Sequence, residues 1–444
     1  MVKTSEWKRA LEAGKLDNTI RKLAVIPGGN PIPQNLKERF LNVMQGFIDA
    51  FTDPDDLESS DPEVAFFSAP GRTELIGNHT DHQQGQVLAA AVNMDVWAFA
   101  APNKIGKLRY ASYGWPTVEV DMQDWQPREA EYGTTDALLK GVAACYVEKG
   151  YDSAGIDIYS QSTVLPGSGL SSSASIEVLF AVILNHFWAS DQENAETWAK
   201  MGQIAENKFF GKPSGLMDQM ASAVGQAVYI DFKNQLVPKI EPLALNLEEE
   251  GYALCIIDSG ADHADLTDEY AAITREMFAV AEKLGVEVLR AANQDKFFAE
   301  IDSIRHELGD RSVLRAMHFF AENDRVTAAA KNLKKGDFAG FLRLINDSGE
   351  SSWCYLQNIS PTGAVKHQEM GIAIALAKHI LNGTGAVRVH GGGFAGTVQA
   401  FVPLAKVAEF QKQIDSALGE NSCHIVQIRS VGGFALGQPQ LLVK

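Results

Sequence analysis

The chain has 444 residues, with 39 basic and 56 acidic side chains giving a formal charge of −17, and apolar and charged shares of 45% and 21%. That length holds two or three domains with a well-buried core, and the composition is ordinary for a globular protein. The acidic balance argues against nucleic acid or an anionic membrane surface as the main partner, and no apolar run reaches the ~18 residues of a membrane-spanning helix.

The four cysteines, Cys145, Cys255, Cys354 and Cys423, lie far apart without metal-type pairing, which fits a reduced cytoplasmic protein. The start, Met1-Val2-Lys3-Thr4-Ser5-Glu6-Trp7-Lys8, lacks the apolar segment of a signal peptide. Residues 5–13 and 35–51 carry helical spacing, and the acidic, turn-rich stretch from Asp53 to Pro62 ends it. Residues 1–60 therefore read as an N-terminal helical extension.

From Val64 the pattern becomes β-like, with strands expected over 64–69, 87–101, 107–112 and 117–122. Between the first two lies Pro70-Gly71-Arg72-Thr73-Glu74-Leu75-Ile76-Gly77-Asn78-His79-Thr80-Asp81-His82-Gln83-Gln84-Gly85. Its carboxylates, imidazoles, amides and hydroxyls suit a polyhydroxylated ligand. A solvated turn is the plainer alternative, and His82 fits a structural role equally well.

Residues 156–160 read as a strand and 175–184 as a mostly buried helix. Between them runs Leu165-Pro166-Gly167-Ser168-Gly169-Leu170-Ser171-Ser172-Ser173-Ala174. A glycine- and serine-rich loop feeding a helix N-terminus offers converging N–H groups and a positive dipole end, which favour an anion such as phosphate. The three consecutive hydroxyls add donors and potential Mg²⁺ ligands. No Gly-x-x-x-x-Gly-Lys-Ser/Thr occurs, so a nucleotide here would be held without the P-loop lysine. An ordinary Gly/Ser turn is the alternative.

Residues 194–210 have helical spacing, contain Glu206, and run into Gly211-Lys212-Pro213-Ser214-Gly215-Leu216-Met217-Asp218-Gln219-Met220-Ala221. There a turn starts a helix with Asp218 in its first turn, where the dipole favours an acid, so capping is the alternative. A strand is expected at 228–232. A second half opens near residue 240 with a strand at 252–258 and helices at 264–284, 313–333, 338–346 and 361–381. The strand 386–390 ends in Gly391-Gly392-Gly393-Phe394-Ala395-Gly396 and resumes at 397–402; here glycine permits close approach of a ligand or another segment. A helix at 404–418 and a strand at 424–430 complete an α+β pattern.

Three motifs thus occur in one order: Gly71 to Asp81, Leu165 to Ala174, and His390 to Gly396. Together they resemble the three signatures of the GHMP small-molecule kinases, and the first resembles the galactokinase signature in particular. Gly215-Leu216-Met217-Asp218-Gln219 and Tyr270-Ala271-Ala272-Ile273-Thr274-Arg275 are also similar to galactokinase segments. The resemblance covers roughly residues 64–435. It implies a two-domain α+β GHMP kinase fold: the extension 1–60, a ribosomal-protein-S5-like domain 61–240 carrying the ATP loop and the sugar motif, and a ferredoxin-like domain 241–444.

The activity it implies is ATP- and Mg²⁺-dependent phosphorylation of a sugar at its anomeric hydroxyl, by a monomer or dimer whose partners are the sugar and ATP. Asp218 would face the C1 hydroxyl as general base or orienting acceptor. Arg72 would keep Asp218 ionised and stabilise the transferring phosphoryl group. Pro166, Gly167, Ser168, Gly169, Leu170, Ser171, Ser172, Ser173 and Ala174 would wrap the phosphates, with Ser172, Ser173 and Glu206 as Mg²⁺ partners. Asn78, His79, Asp81, Gly215 and Tyr270 would line the sugar pocket.

The chain departs from the family in having Asn78-His79-Thr80-Asp81-His82 where galactokinases have Glu-His-x-Asp-Tyr. That Glu faces the 6-hydroxyl end of the sugar, so a neutral Asn removes a negative charge there, and plant galacturonate kinases show a similar Asp-His. Galactose is the first expectation, galacturonate a competitor and arabinose third. Ala395 stands where many relatives have Gly. A regulator that binds sugar and ATP without turnover is the alternative of another class, and it could lose Arg72, Glu206, Asp218 or the loop, all of which are present. Mevalonate or homoserine as acceptor is disfavoured by the Gly215–Gln219 segment and the His79/Asp81 pair.

Overall fold

The spine of the molecule is a pair of long antiparallel strands, Glu63–Ile76 and Gln86–Pro102, in a computed structural model that describes residues 1–53, 60–164, 169–235, 237–261 and 266–439. Helices cover both faces of this pair, which is why its sequence reads as continuous apolar runs rather than strict alternation. Among the described residues the sheet has nine strands, in the order Val2–Lys3, Glu63–Ile76, Gln86–Pro102, Ile156–Ser162, Leu108–Ser112, Trp115–Val120. Ala227–Asp231 also pairs with the second long strand and carries Lys239–Leu243 on its other edge. Phe434–Leu436 returns to pair with the first.

On one face lie the helices Thr135–Glu148, Ser172–Trp188, Ala195–Ile204 and Met217–Val224. The other face is covered by the N-terminal helices Thr4–Glu12, Asp17–Ala24 and Gln34–Phe51, whose Trp7, Leu11, Ile20, Phe40 and Phe47 pack on Phe66, Trp97 and Phe99. The extension is therefore a layer of the fold. Asp61 accepts from Thr4 Oγ1, Ser5 N and Ser5 Oγ at 2.7–2.8 Å. Arg39 stacks 4.1 Å over Trp97 and pairs with buried Asp95 at 2.7 Å, while Arg429 from the far end of the chain meets the same carboxylate at 2.6 Å.

A second, four-stranded antiparallel sheet runs Ala386–His390, Thr397–Pro403, Tyr252–Asp258, Cys423–Val426. Helices Glu369–Leu381 and Val407–Leu418 cover one face of it. From the other face Leu254, Ile256 and Phe401 join Val326, Phe341 and Ile345 of the helices Asp310–Lys335 and Phe338–Ser351 in the core of the large sheet. One continuous apolar core thus links the two sheets, and the loops Gly77–Gly85 and Gly391–Gly396 meet where they join.

The structure differs from expectation in several places. The strand expected at 64–69 runs on to Ile76, with irregular register between Pro70 and Arg72 and between Glu74 and Ile76, so the first half of the polar motif is strand rather than loop. Such bulges re-aim side chains. Helix Thr135–Glu148 was not expected, because most of its positions are buried and an amphipathic stripe is lacking. The helix placed at 361–381 begins at Glu369, after a turn containing Pro361 and Gly363. The last strand is shorter, Cys423–Val426, and the chain pairs again at Phe434–Leu436. All four cysteines are free thiols. No described helix is long and apolar enough to cross a membrane.

Candidate active site

Three chain segments distant in sequence converge on one ion pair. Arg72, on the first long strand, donates from Nε to Asp218 Oδ1 and from Nη2 to Asp218 Oδ2, both at 2.6 Å. Such a two-bond fork fixes a carboxylate in orientation as well as in charge. Asp218 occupies the first turn of Met217–Val224, where the helix dipole adds to the effect. Ser171 Oγ, from the glycine–serine loop, donates to Asp218 Oδ2 at 2.7 Å. The same loop is tied to the strand through Arg72 N, which donates to Leu170 O at 3.0 Å, and through Arg72 Nη1, which donates to Gly169 O. A Cβ at Gly71 would stand 2.9 Å from Leu170 O, so only glycine allows strand and loop to approach this closely. Burial raises the Asp218 pKa, but Arg72, then Ser171 and Lys212, outweigh it, and the carboxyl sits below its ordinary value.

Of the expected phosphate loop, Gly169, Leu170, Ser171, Ser172, Ser173 and Ala174 are described, whereas Leu165, Pro166, Gly167 and Ser168 lie outside the described residues. Ser171 has φ +55° and precedes helix Ser172–Trp188, whose N-terminus therefore opens beside Asp218. The N-cap residue Ser171 makes no side-chain cap bond to the first N–H groups of this helix, an arrangement an anion can complete.

Glu206 lies in a π-helical turn, Ala205–Phe209, that follows Ala195–Ile204. Its Oε1 accepts from Ser173 Oγ at 3.2 Å and Lys212 Nζ at 2.8 Å; its Oε2 accepts from Gln219 Nε2 at 2.9 Å and from Ser214 Oγ. Gln219 Nε2 also donates to Glu177 Oε2 at 2.9 Å. Burial, then the nearby Glu206 carboxylate, push the Glu177 carboxyl well above its ordinary range. Among the described residues Glu177 Oε1 and Gln219 Oε1 both lack a partner. Among the described residues no group of three or more His, Cys, Asp or Glu side chains could hold a metal ion. The Glu206 carboxylate with the Ser173 hydroxyl still fits Mg²⁺, a hard cation that takes oxygen ligands and fills the rest of its shell from phosphate and water.

The polar motif forms the third side. Asp81, in a short 3₁₀ turn, lies so close to the segment before Asp218 that a Cβ at Gly215 would stand 2.3 Å from its Oδ2. Its carboxyl is raised, chiefly by burial, with His79 opposing and Glu74 adding to the shift. The His79 ring nitrogen meets Gly392 O at 2.9 Å, Tyr270 Oη donates to Gly393 O at 2.9 Å, and the Tyr270 ring stands edge-on to Phe394.

Asn78 is placed differently from the expectation of a pocket-lining amide. Its Nδ2 donates to Gly391 O at 2.7 Å and Glu74 Oε1 at 3.2 Å, and its Oδ1 accepts from Asn358 at 2.8 Å and Ser352 at 3.4 Å. With 1% exposure, the amide is saturated. The corner it occupies also carries the Glu74 carboxylate, paired with buried Arg388 at 2.7 Å. His82 is held neutral, burial and then His79 pushing its pKa down to about 3.

Glu322 and Asn358 were missed from the sequence. Glu322 accepts from Gly77 N at 3.0 Å and Arg325 Nε at 2.7 Å, and its pKa falls to about 2 because Arg325, His318 and Arg388 outweigh burial. Nothing local marks either residue, since each acts across more than 240 positions of chain.

Comparison with known proteins bears on this geometry. The family description "GHMP kinases N terminal domain" matches residues 137–226, which include Ser171, Glu206 and Asp218, and "Galactokinase galactose-binding signature" matches residues 56–102. The chain is 31% identical to a galactokinase of Lactobacillus helveticus over 360 residues, covering 78% of this chain and 88% of the relative. It is 30% identical to one of Streptomyces coelicolor, covering 82% and 90%. The solved Lactococcus lactis galactokinase complexed with galactose superposes with a TM-score of 0.74 at 25% identity, covering 89% of this chain and 99% of that one. A mevalonate kinase structure shares the fold at 16% identity with a TM-score of 0.55.

Proposed function

Because the chain belongs to the galactokinase family and has the two-domain α+β fold of GHMP kinases, we propose that it transfers the γ-phosphoryl group of ATP to the anomeric hydroxyl of galactose. The observation that carries this reading is the Arg72–Asp218 fork, with Ser171 of the glycine–serine loop on the same carboxylate. It sets a fixed acceptor for a sugar hydroxyl beside a helix N-terminus suited to phosphate.

Phosphoryl transfer requires alignment and charge compensation more than covalent chemistry. Asp218, kept ionised by Arg72, accepts the hydrogen of the C1 hydroxyl and aims its oxygen at the phosphorus. A depressed pKa makes it a weak base, which favours orientation over early proton removal. Arg72, the loop amides and the serine hydroxyls face the charge on the phosphates. Ser172, Ser173 and Glu206 would hold Mg²⁺, which compensates phosphate charge when bound. His79, Asp81, Gly215 and Tyr270 shape the sugar end, with Asn78 bracing it. A cytoplasmic location, a boundary near residue 240 and a monomeric or dimeric state belong to the same reading.

Galactose is preferred over galacturonate because the neutral Asn78 amide is saturated and the carboxylate of Glu74 lies 3.2 Å from it, with Arg388 paired to that carboxylate, so among the described residues this corner offers a uronate a carboxylate rather than a free cation. The test is ADP release by the purified protein with Mg·ATP against galactose, galacturonate, arabinose, glucose and N-acetylgalactosamine. Galactose is expected to give the highest kcat/KM. Turnover with none of them would favour a sugar- and ATP-binding regulator, and a preference for galacturonate would refute the placement of charge at C6.

A further inference from the structure

The Glu206 carboxylate is full. Ser173, Lys212, Ser214 and Gln219 supply one donor each, which occupies all of its acceptor positions. A metal ion can reach this carboxylate only if one donor leaves, and the four are not equally held. Gln219 is fully buried and locked by Glu177. Ser214 is fixed by Asn207, whose Oδ1 accepts from its backbone N at 2.7 Å.

Lys212 has a fixed root and a free stem. Its backbone N donates to Glu206 O at 3.0 Å, while its side chain is 59% exposed. Its ammonium shares Oε1 with the Ser173 hydroxyl at the loop end of the cluster, and its charge also acts on Asp218. It is a cation standing where a cation would bind, beside a phosphate loop that contains no lysine of its own.

We propose that Lys212 is a mobile counter-cation: it neutralises Glu206 in the nucleotide-free protein and, when Mg²⁺ takes that carboxylate, passes its ammonium to the terminal phosphates of ATP. This rests on the ATP-dependent kinase reading. The ammonium thus reaches the triphosphate from a neighbouring turn rather than from the loop itself. A plain exposed ion pair, worth little in either state, is the competing account.

The test compares full-length wild type with Lys212→Met and Lys212→Arg, using calorimetric affinities for Mg·ATP, Mg·ADP and galactose, and paramagnetic resonance of Mn²⁺ added to nucleotide-free protein. Lys212→Met is expected to lose about tenfold or more in ATP affinity, the scale of one charge-assisted bond, and less in ADP affinity. Galactose affinity should hold, and Lys212→Arg should keep most of the ATP affinity. Mn²⁺ should bind nucleotide-free Lys212→Met more tightly than wild type, because the competing ammonium is gone. The proposal is overturned if ATP affinity is unchanged, if ATP and ADP lose equally, or if Mn²⁺ binding is unchanged, weaker or absent in both proteins. A wild type that does not bind Mg·ATP overturns the kinase reading with it. A wild type that phosphorylates sugar beside an ATP-indifferent Lys212→Met overturns the Lys212 assignment alone.

Discussion

Replacing Asp218 by asparagine keeps the shape of the side chain and removes its charge, which makes it the most informative change at this site. In the native protein both carboxylate oxygens accept from Arg72 at 2.6 Å, and Oδ2 also accepts from Ser171. An amide offers one acceptor and turns an NH₂ toward a guanidinium or a hydroxyl donor, so at least one of these bonds is lost. In the proposed role the loss should lower kcat by about 10²- to 10⁴-fold, the range of a positioned proton acceptor. Stability should also fall. Removing one partner of a fully buried pair costs about 3–5 kcal/mol, but the Asp218 side chain is 27% exposed. Solvent screening brings the figure down to about 1–3 kcal/mol, a melting shift of a few degrees. Mg·ATP affinity should change little, since the Arg72 backbone bond to Leu170 does not depend on the carboxylate. The assays are coupled ADP release, calorimetric Mg·ATP binding and thermal melting of the same preparation. A kcat within tenfold of wild type would remove Asp218 from the acceptor side, and collapse of ATP binding together with kcat would make it a scaffold residue. The pH profile is a second check. With the Asp218 pKa held below 3.8, kcat/KM should show no acid limb from this group above about pH 4.

Four further outcomes are expected. Trp7→Ala should cost about 3–5 kcal/mol, because Trp7 is fully buried against Phe40 and Phe99; an unchanged melting temperature would return the N-terminal helices to the status of an appendage. Glu177→Gln tests the raised Glu177 carboxyl. A pKa raised by folding gives stability that is present below the unfolded value near 4.5 and lost as pH rises through the folded value, so the amide variant should gain on wild type in melting temperature as pH rises and show no gain in acid, whereas a constant deficit at all pH would refute the raised pKa. Gly215→Ala puts a methyl 2.3 Å from Asp81 Oδ2 and should reduce kcat/KM for the sugar by about 10- to 100-fold with ATP affinity intact; equal loss of both would show that the damage is not confined to the sugar side. Asn78→Glu should lower the melting temperature and depress every sugar alike, since it breaks the bond to Gly391 and crowds Glu74; a selective loss of galacturonate at normal stability would restore a direct role at C6.

What the sequence revealed depended on how local the cause was. Strands Tyr252–Asp258 and Ala386–His390 stand where alternation and β-branched residues put them. Helix Thr135–Glu148 escaped because a helix buried nearly all round has no stripe to detect. The Arg72–Asp218 pair spans 146 residues, and nothing in spacing or composition joins its members; the family resemblance suggested it. The N-terminal helices looked separable by their position in the chain, yet their aromatic face is matched by Phe66, Trp97 and Phe99 on strands whose partners a sequence does not name.

Residue type alone also leaves open whether a polar side chain meets a ligand or braces the protein, and the count of unused hydrogen-bonding positions separates the two. A carboxylate oxygen accepts about two bonds and an amide nitrogen donates two. Asn78 has none left, because Gly391 and Glu74 take both hydrogens while Asn358 and Ser352 fill the oxygen. Among the described residues Asp218 Oδ1 accepts from Arg72 Nε alone, while Oδ2 is filled by Arg72 Nη2 and Ser171. With respect to the described residues one acceptor position therefore remains on Oδ1, and a single sugar hydroxyl fits it. Glu206 has none until Lys212 leaves. A ligand that binds here must then displace a protein cation at one carboxylate and complete the shell of the other, so nucleotide with Mg²⁺ and sugar make different demands on two acids bridged by one serine loop.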